Sequence, residues 1–238
     1  MNRREFIINS LIAAAAAGTG IANAAENAGS AAEKNDKPAK KPGNAEKTQP
    51  DSKKDKCGGK KKMKILVITG SPRRKGNSAI LADNFIKGAE EAGHTVFRFD
   101  AAFKKVHPCT GCNHCGMDGP CVFNDDFNEV RSNIINADAV VFASPMYYFG
   151  LSAQIKTVID RFYAINGQIH VSKKTALLMT YADTAAKEAQ PILSHYETLI
   201  NYLGWEDCGR VIASGVWTAG SVKNTKFPEQ AYKLGKNI

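Results

Sequence analysis

The sequence predicts a three-layer α/β domain, with helices on both faces of a doubly wound, five-stranded parallel sheet. Short runs of apolar, β-branched residues recur along the chain from Met63, as in strands buried on both faces, and stretches with helical spacing of apolar residues separate them. With 238 residues and 43% hydrophobic content, the chain has material for one such domain plus extra segments, not for two.

The first strand is read at Lys64 to Thr69. Ala79, Ile80, Leu81, Phe85 and Ile86 then mark a helix that Ala92-Gly93 stops. A second strand, Val96 to Phe99, leads into a long Cys-rich loop, 107–123, and Phe127, Val130, Ile134 and Ile135 mark the next helix. Ala139 to Ala143 is the third strand. Ile155, Val158, Ile159 and Phe162 line one helix face, Ala176 to Met179 is the fourth strand, and a helix through Ile192, Tyr196, Leu199 and Leu203 precedes a weaker fifth strand at Val211 to Ala213. The tail from Trp217 to Ile238 carries no assigned element and is expected to pack on the sheet edge or on a partner.

The extra material lies in front. Residues 1–24 read as an export signal: Arg3-Arg4 precede an apolar stretch from Phe6 to Ala17, and Ala22-Asn23-Ala24 forms a small-residue cleavage pattern. A membrane-spanning helix needs about 20 apolar residues, so this is a cleavable signal and no stable anchor. The paired arginines before a weakly apolar core resemble a twin-arginine signal, which implies a periplasmic or otherwise extracytoplasmic protein. Residues 25–62 are rich in Lys, Ala, Asn, Pro and Gly and read as a disordered tether. From Glu26 to Lys62 there are 11 Lys and 6 acidic residues, so most of the formal +9 lies outside the folded region. No aromatic residues interleave with those lysines, and nucleic-acid binding has no support.

In a doubly wound sheet, ligands bind beyond the carboxyl ends of the strands. Directly after strand one stands Gly70-Ser71-Pro72-Arg73-Arg74-Lys75-Gly76-Asn77-Ser78, opening a helix. Backbone N–H groups, the hydroxyls of Ser71 and Ser78, and the helix N-terminus suit a phosphate, with Arg73 or Arg74 as a charged partner. The pattern is neither G-x-x-x-x-G-K-[ST] nor G-x-G-x-x-G, which disfavours ATP and a Rossmann dinucleotide. Alone, the segment is read equally well as a plain strand-to-helix turn capped by Asn77. After strand three, Ser144-Pro145-Met146-Tyr147-Tyr148-Phe149-Gly150-Leu151-Ser152 places three adjacent aromatics at the sheet mouth, an apolar wall for a flat ring.

Together these loops resemble those of the flavodoxin-like NADPH-dependent FMN reductase family, which pairs a Gly-Ser-Pro-Arg type loop with a Ser-Pro-x-Tyr type loop before a helix bearing Lys and Asp-Arg, here Lys156, Asp160 and Arg161. The resemblance covers Met63 to Val216. It implies strand order 2-1-3-4-5 and bound FMN, with Ser71, Arg73, Asn77 and Ser78 on the phosphate and Pro145, Met146, Tyr147, Tyr148, Phe149 and Gly150 beside the isoalloxazine. Tyr181 to Thr184 would approach the ring as well. It also implies a homodimer or homotetramer.

The Cys-rich loop contains Cys109, Cys112, Cys115 and Cys121 as C-x2-C-x2-C-x5-C, with Gly111, Gly116 and Gly119 freeing the backbone to wrap a metal cluster. The array suits a cubane iron–sulfur cluster and resembles that of the iron-sulfur flavoproteins, a branch of the same family, which implies a [4Fe-4S] cluster passing electrons to FMN. Zinc, disulfides or a cluster-free loop are the competing readings. His114 is a candidate donor to a cluster sulfur, Cys57 has no evident partner, and Cys208 reads as a small buried apolar side chain. The leading expectation is an FMN-dependent oxidoreductase or electron-transfer flavoprotein with a small redox protein as electron donor. The alternatives are a cluster-free NAD(P)H-dependent FMN or quinone reductase, and a non-catalytic flavin- or zinc-binding module. No side chain is required as a catalytic acid or nucleophile, because the flavin carries the chemistry.

Overall fold

The computed structural model describes residues 61–238. The expected signal, Cys57 and all but the last two residues of the expected tether lie outside the described residues.

Each apolar run becomes a strand of one sheet. β1 (Lys64–Thr69), β2 (Thr95–Asp100), β3 (Ala139–Tyr147), a two-residue β4 (Gly150–Leu151), β5 (Lys174–Thr180) and β6 (Glu206–Ala213) alternate with α1 (Asn77–Glu91), α2 (Phe127–Ile135), α3 (Ala153–Asp160), α4 (Asn166–Ile169), α5 (Gln190–Leu203) and α6 (Phe227–Asn237). The parallel order is β2-β1-β3-β5-β6, with β4 paired antiparallel to β3 alone. Numbered among the parallel strands only, this is the expected order 2-1-3-4-5 in a flavodoxin-like fold. The register places Ile65 between Val96 and Ala139, and Ala139 opposite Lys174, so the strand ends that carry loops 70–78, 144–152 and 181–184 share one rim.

Strand residues alternate between two cores. Leu66, Ile68, Val140, Phe142 and Leu177 face α2, α3 and α5, where Phe127, Ile155 and Tyr196 are buried. Ile65, Val67, Val141, Ala176 and Leu178 face α1 and α6, with Phe85 and Ala231 beneath them. Burying a side chain of this size stabilises by about 1.5–3 kcal/mol, so central strands buried on both faces anchor the rim that carries the loops.

Three features go beyond or depart from the expectations. The loop after the third strand is a hairpin, in which β3 continues to Tyr147 and pairs Met146 with Leu151 and Tyr147 with Gly150. The unassigned tail contains α6, which packs on α1 and touches the edge strand β6. The crossing is close because Gly88 and Gly235 meet the opposite backbone: an added Cβ would lie 2.1 Å from the Tyr232 carbonyl oxygen at Gly88, and 2.0 Å from that of Phe85 at Gly235. Cys208 lies in β6, partly buried against this core and not fully enclosed as expected.

A side chain at Gly88 must push two backbones apart. Gly88→Val is expected to destabilise the fold by about 1–3 kcal/mol, at roughly 2–4 °C of Tm per kcal/mol for a domain this size. Thermal unfolding followed by circular dichroism checks this, and an unchanged Tm would mean that α6 is not docked as described.

Candidate functional site

The anion loop is braced by its own side chains. Gly76 N–H donates to the Arg73 carbonyl at 2.9 Å, and the Ser71 hydroxyl both donates to that carbonyl and accepts from Arg73 N–H, each at 3.1 Å. A Cβ at Gly76 would lie 2.8 Å from Ser71 Oγ, so this glycine allows the chain to fold back on itself. Gly76 is the N-cap of α1 and supplies no side-chain cap, which corrects the reading of Asn77 as a capping residue. The first intrahelical bond runs from Ile80 N–H to the Gly76 carbonyl. The N–H groups of Asn77, Ser78 and Ala79 therefore precede the ladder and carry the positive end of the helix dipole.

Ser78 is 1% exposed, and its hydroxyl has no hydrogen-bond partner. A buried hydroxyl left unpaired costs about 1–3 kcal/mol, and this one stands at a helix N-terminus that lines a cavity of about 1080 Å³. Asn77 also lines the cavity, but its side chain is committed elsewhere. Its amide donates to the Val216 and Thr218 carbonyls at 3.1 and 2.9 Å, and its oxygen accepts from Val222 N–H at 3.2 Å. Ser71 and Arg73 complete this end of the cavity. Arg74 instead stacks on Phe103, 3.9 Å from the ring centroid.

The other end of the cavity is the hairpin, where Pro145 to Phe149 are lining residues. The two residues of its turn, Tyr148 and Phe149, have φ of 45° and 62°, the sign a tight two-residue hairpin requires but one that favours Asn and Gly. Each non-glycine residue held there costs roughly 1–3 kcal/mol, a pattern found at ligand sites. Tyr148 is fully exposed at the tip. Gly150, expected beside the ring, lies in β4 and does not line the cavity.

A buried hydrogen-bond chain joins the two loops. Ser152 N–H donates to Ser144 Oγ at 3.0 Å, Ser152 Oγ donates to the Gly70 carbonyl at 2.9 Å, and Gly70 N–H donates to the Ala143 carbonyl at 2.9 Å. Of the expected segment Tyr181 to Thr184, Tyr181, Ala182 and Asp183 line the cavity and Thr184 does not. Trp217, 79% exposed in the segment to which the sequence assigns no element, lines it too. Trp217 follows the fifth parallel strand, and the rule that ligands gather at strand carboxyl ends points there too. Val216 N–H to the Tyr181 carbonyl (3.0 Å) and Gly215 N–H to the Asp183 carbonyl (2.8 Å) hold the two segments together. Hydrogen bonds from Ala185 and Thr184 N–H hold the Asp183 carboxyl below its ordinary pKa.

The Cys-rich loop has no regular structure of its own and is fixed by its neighbours. Arg161, 1% exposed, donates to the His107 carbonyl (2.8 Å), the Phe123 carbonyl (3.4 Å) and both Asp125 oxygens (2.9 and 3.4 Å). His107 stacks on Phe123 at 3.8 Å, closing the loop at its base. Farther out, Asp118 accepts from Gly167 N–H at 2.8 Å and Tyr163 donates to Asn113 at 2.8 Å. Lys156 and Asp160 pair with each other on the surface and touch neither site.

Cys109, Cys112, Cys115 and Cys121 are free thiols lining one pocket with Arg161. Among the described residues, no three His, Cys, Asp or Glu side chains converge as a single bound ion would require. Zinc needs sulfurs about 2.3 Å from one point, whereas a cubane cluster takes each thiolate at a different corner. Four free thiols lining one pocket, with no disulfide among them, are the donor set that a four-cysteine zinc site or a cubane cluster takes. The Cys112 thiol is held below its ordinary pKa by the His114 backbone N–H and the Thr110 hydroxyl. His114 thus acts through its backbone, and its ring does not line the pocket.

The chain belongs to the NADPH-dependent FMN reductase family, which it matches over residues 63–214. An iron-sulfur flavoprotein of Archaeoglobus fulgidus is 42% identical over 99 residues, 42% of this chain and 45% of that protein. One from Methanocaldococcus jannaschii is 37% identical over 99 residues, 42% of this chain and 51% of that protein. The chain thus spans about half the length of these relatives. Among solved structures, an NAD(P)H:quinone oxidoreductase from Methanothermobacter marburgensis shares the fold, with a TM-score of 0.62 at 20% identity over 74% of this chain and 96% of that one.

Burial tends to raise the Asp125 carboxyl, but hydrogen bonds from Arg161, His107 N–H and Phe127 N–H outweigh it and hold its pKa below the ordinary value. A depressed carboxylate pKa stabilises the fold above the unfolded-state value and loses that stabilisation as pH falls through the folded value. Wild-type stability is therefore expected to drop below about pH 4 more steeply than that of Asp125→Asn. Denaturant titrations between neutral and acid pH measure the difference, and parallel curves would show that the pair contributes nothing.

Proposed function

We propose that this chain is a flavin-dependent oxidoreductase that binds FMN in the large cavity and a [4Fe-4S] cluster in the Cys-lined pocket. The observation that carries the reading is the unpaired, buried Ser78 hydroxyl at the N-terminus of α1. A phosphate there accepts from that hydroxyl and from the free helix N–H groups at once, and Arg73 adds charge. The cavity volume suits a cofactor of this size, since such pockets run to about 300–1,000 Å³. The Tyr147–Phe149 wall and Trp217 flank the remaining space, where a planar ring stacks and the hairpin N–H groups meet its polar edge.

Bound FMN supplies one- and two-electron transfer, and the cluster a one-electron relay. The chain's residues position both groups. Cys109, Cys112, Cys115 and Cys121 hold the cluster. Because Cys109 and Cys112 are exposed, an external redox protein reaches this end of the molecule directly. The family's description favours a second reading in which NADPH is the donor. The exposed Tyr148 and Trp217 at the cavity mouth support assembly with a second copy, as a homodimer or homotetramer. The paired arginines at the start of the chain support export, with both groups inserted before translocation.

Protein made in its native host and purified without oxygen is expected to release FMN on denaturation and to contain about four irons and four acid-labile sulfides per chain. Absence of flavin would sink the proposal. Flavin without iron, bleached by NADPH, would select the second reading. Ser78→Ala removes one charge-assisted hydrogen bond, about 1.5–3 kcal/mol, so FMN affinity measured by fluorescence quenching is expected to fall roughly 10–100-fold with apoprotein stability unchanged or improved. Arg3→Lys with Arg4→Lys is expected to leave the loaded protein in the cytoplasm, read by cell fractionation, and undiminished export would refute the twin-arginine route.

A further inference from the structure

The least expected group beneath the Cys-lined pocket is a cation. Arg161 is among the largest fully buried side chains of the described residues, and it lines the pocket together with all four thiols. Four of its hydrogen bonds leave from the two terminal nitrogens, to the His107 and Phe123 carbonyls and to Asp125. The guanidinium lies over the Phe127 ring at 4.8 Å and near that of Phe123 at 5.5 Å. Its remaining nitrogen, Nε, is buried and has no partner.

Two facts follow from ordinary physical chemistry. A clamp on the loop ends needs only the terminal nitrogens, so the clamp does not account for Nε. A buried N–H of a charged group without an acceptor is costly, and such groups find partners in native proteins or mark a place where a ligand supplies one. Arg161 is the one Lys, Arg, Asp or Glu side chain among the residues that line the thiol pocket. Asp125 neutralises part of the guanidinium charge from the opposite side, at 2.9 Å, and is itself only 15% exposed. The charge that lines the pocket is therefore Arg161, with Asp125 as its ion-pair partner.

We propose that Arg161 is a charge-setting and positioning residue for the group the four cysteines hold: its Nε–H donates to a thiolate or sulfide sulfur there, and the Arg161–Asp125 pair sets that group's reduction potential. The inference rests on the cluster reading above. Reduction adds one electron, hence one negative charge, to the pocket. A buried cation and a hydrogen bond to sulfur favour the reduced form and raise the potential, and the nearby carboxylate opposes them. Removing the cation and removing the carboxylate must therefore shift the potential in opposite directions. Simple loosening of the loop, which both substitutions also cause, would shift it in the same direction.

The experiment is an EPR-monitored redox titration of the full-length, cluster-loaded protein and its Arg161→Lys, Arg161→Met and Asp125→Asn variants, each with iron and sulfide counted. At a fixed poise near the wild-type midpoint, Arg161→Met is expected to lower the ratio of reduced to oxidised cluster about tenfold, equivalent to about 59 mV for a one-electron couple. Arg161→Lys keeps the charge but loses the Nε donor and is expected to move the same way by less. Asp125→Asn is expected to raise the ratio. If Arg161→Met fails to retain iron, the Lys and Asn variants decide by their opposite signs. Unchanged potentials at full iron content, or shifts of one sign in all loaded variants, overturn the role of Arg161 while leaving the cluster reading intact. A wild-type protein without iron overturns both.

Discussion

The arrangement of the molecule turns on one buried serine. Ser152 is completely enclosed; its N–H closes the hairpin loop by donating to Ser144, and its hydroxyl crosses to the anion loop by donating to the Gly70 carbonyl. Serine at a helix N-cap ordinarily turns its hydroxyl onto the helix's own N–H groups. Here the hydroxyl makes no such bond, and α3 begins uncapped by a side chain. The helix forgoes a stabilisation of about 1 kcal/mol, and the two loops are fixed against each other. With the sheet beneath them, the anion loop and the hairpin form the two ends of one cavity.

The Cys-rich loop solves a different problem by different means. A segment of turns and glycines cannot hold its shape through ladder hydrogen bonds, so its position must come from contacts at its ends. A buried ion pair is a costly anchor, because desolvating two charges offsets much of their attraction unless every donor and acceptor is matched. Arg161 and Asp125 meet that condition at the terminal nitrogens and the carboxylate, with aromatic rings over the remaining face. Anchoring alone could be met by apolar residues in place of the pair; a buried charge beside four thiols also acts on whatever the thiols hold.

The sheet and the two cores were legible because β-branched runs and helical spacing report burial directly, and the anion loop because glycine, serine and a helix start have only a few joint uses. Other features were hidden for physical reasons. The hairpin at Tyr148-Phe149 violates turn preference, since two aromatics occupy positions where glycine or asparagine is favoured, and local propensity points away from it. Asn77 was placed at the correct helix end, but its side chain serves a segment 139 residues distant, which no local pattern encodes. Trp217 escaped for the opposite reason: the rule that identifies it was available, but the fifth parallel strand is marked only weakly by Val211 to Ala213. The close crossing of α1 and α6 rests on Gly88 and Gly235, residues that in sequence read as weak helix formers and in three dimensions permit contact of two backbones.

The two locks are the two ends of one element. Ser152 is the N-cap of α3 and Arg161 its C-cap, so the residue that joins the anion loop to the hairpin and the residue that holds the Cys-rich loop are separated by a single short helix. At 1.5 Å of rise per residue, that spacing is roughly 13 Å. Ile155, Val158 and Ile159 bury the helix in the sheet's core, so it can neither slide nor swing without opening that core. One buried helix therefore links the residue that ties the two loops of the large cavity together to the residue that holds the ends of the Cys-rich loop. A redox pair built on this frame would keep its spacing through every turnover, leaving the charge around each centre as the property that side chains remain free to adjust.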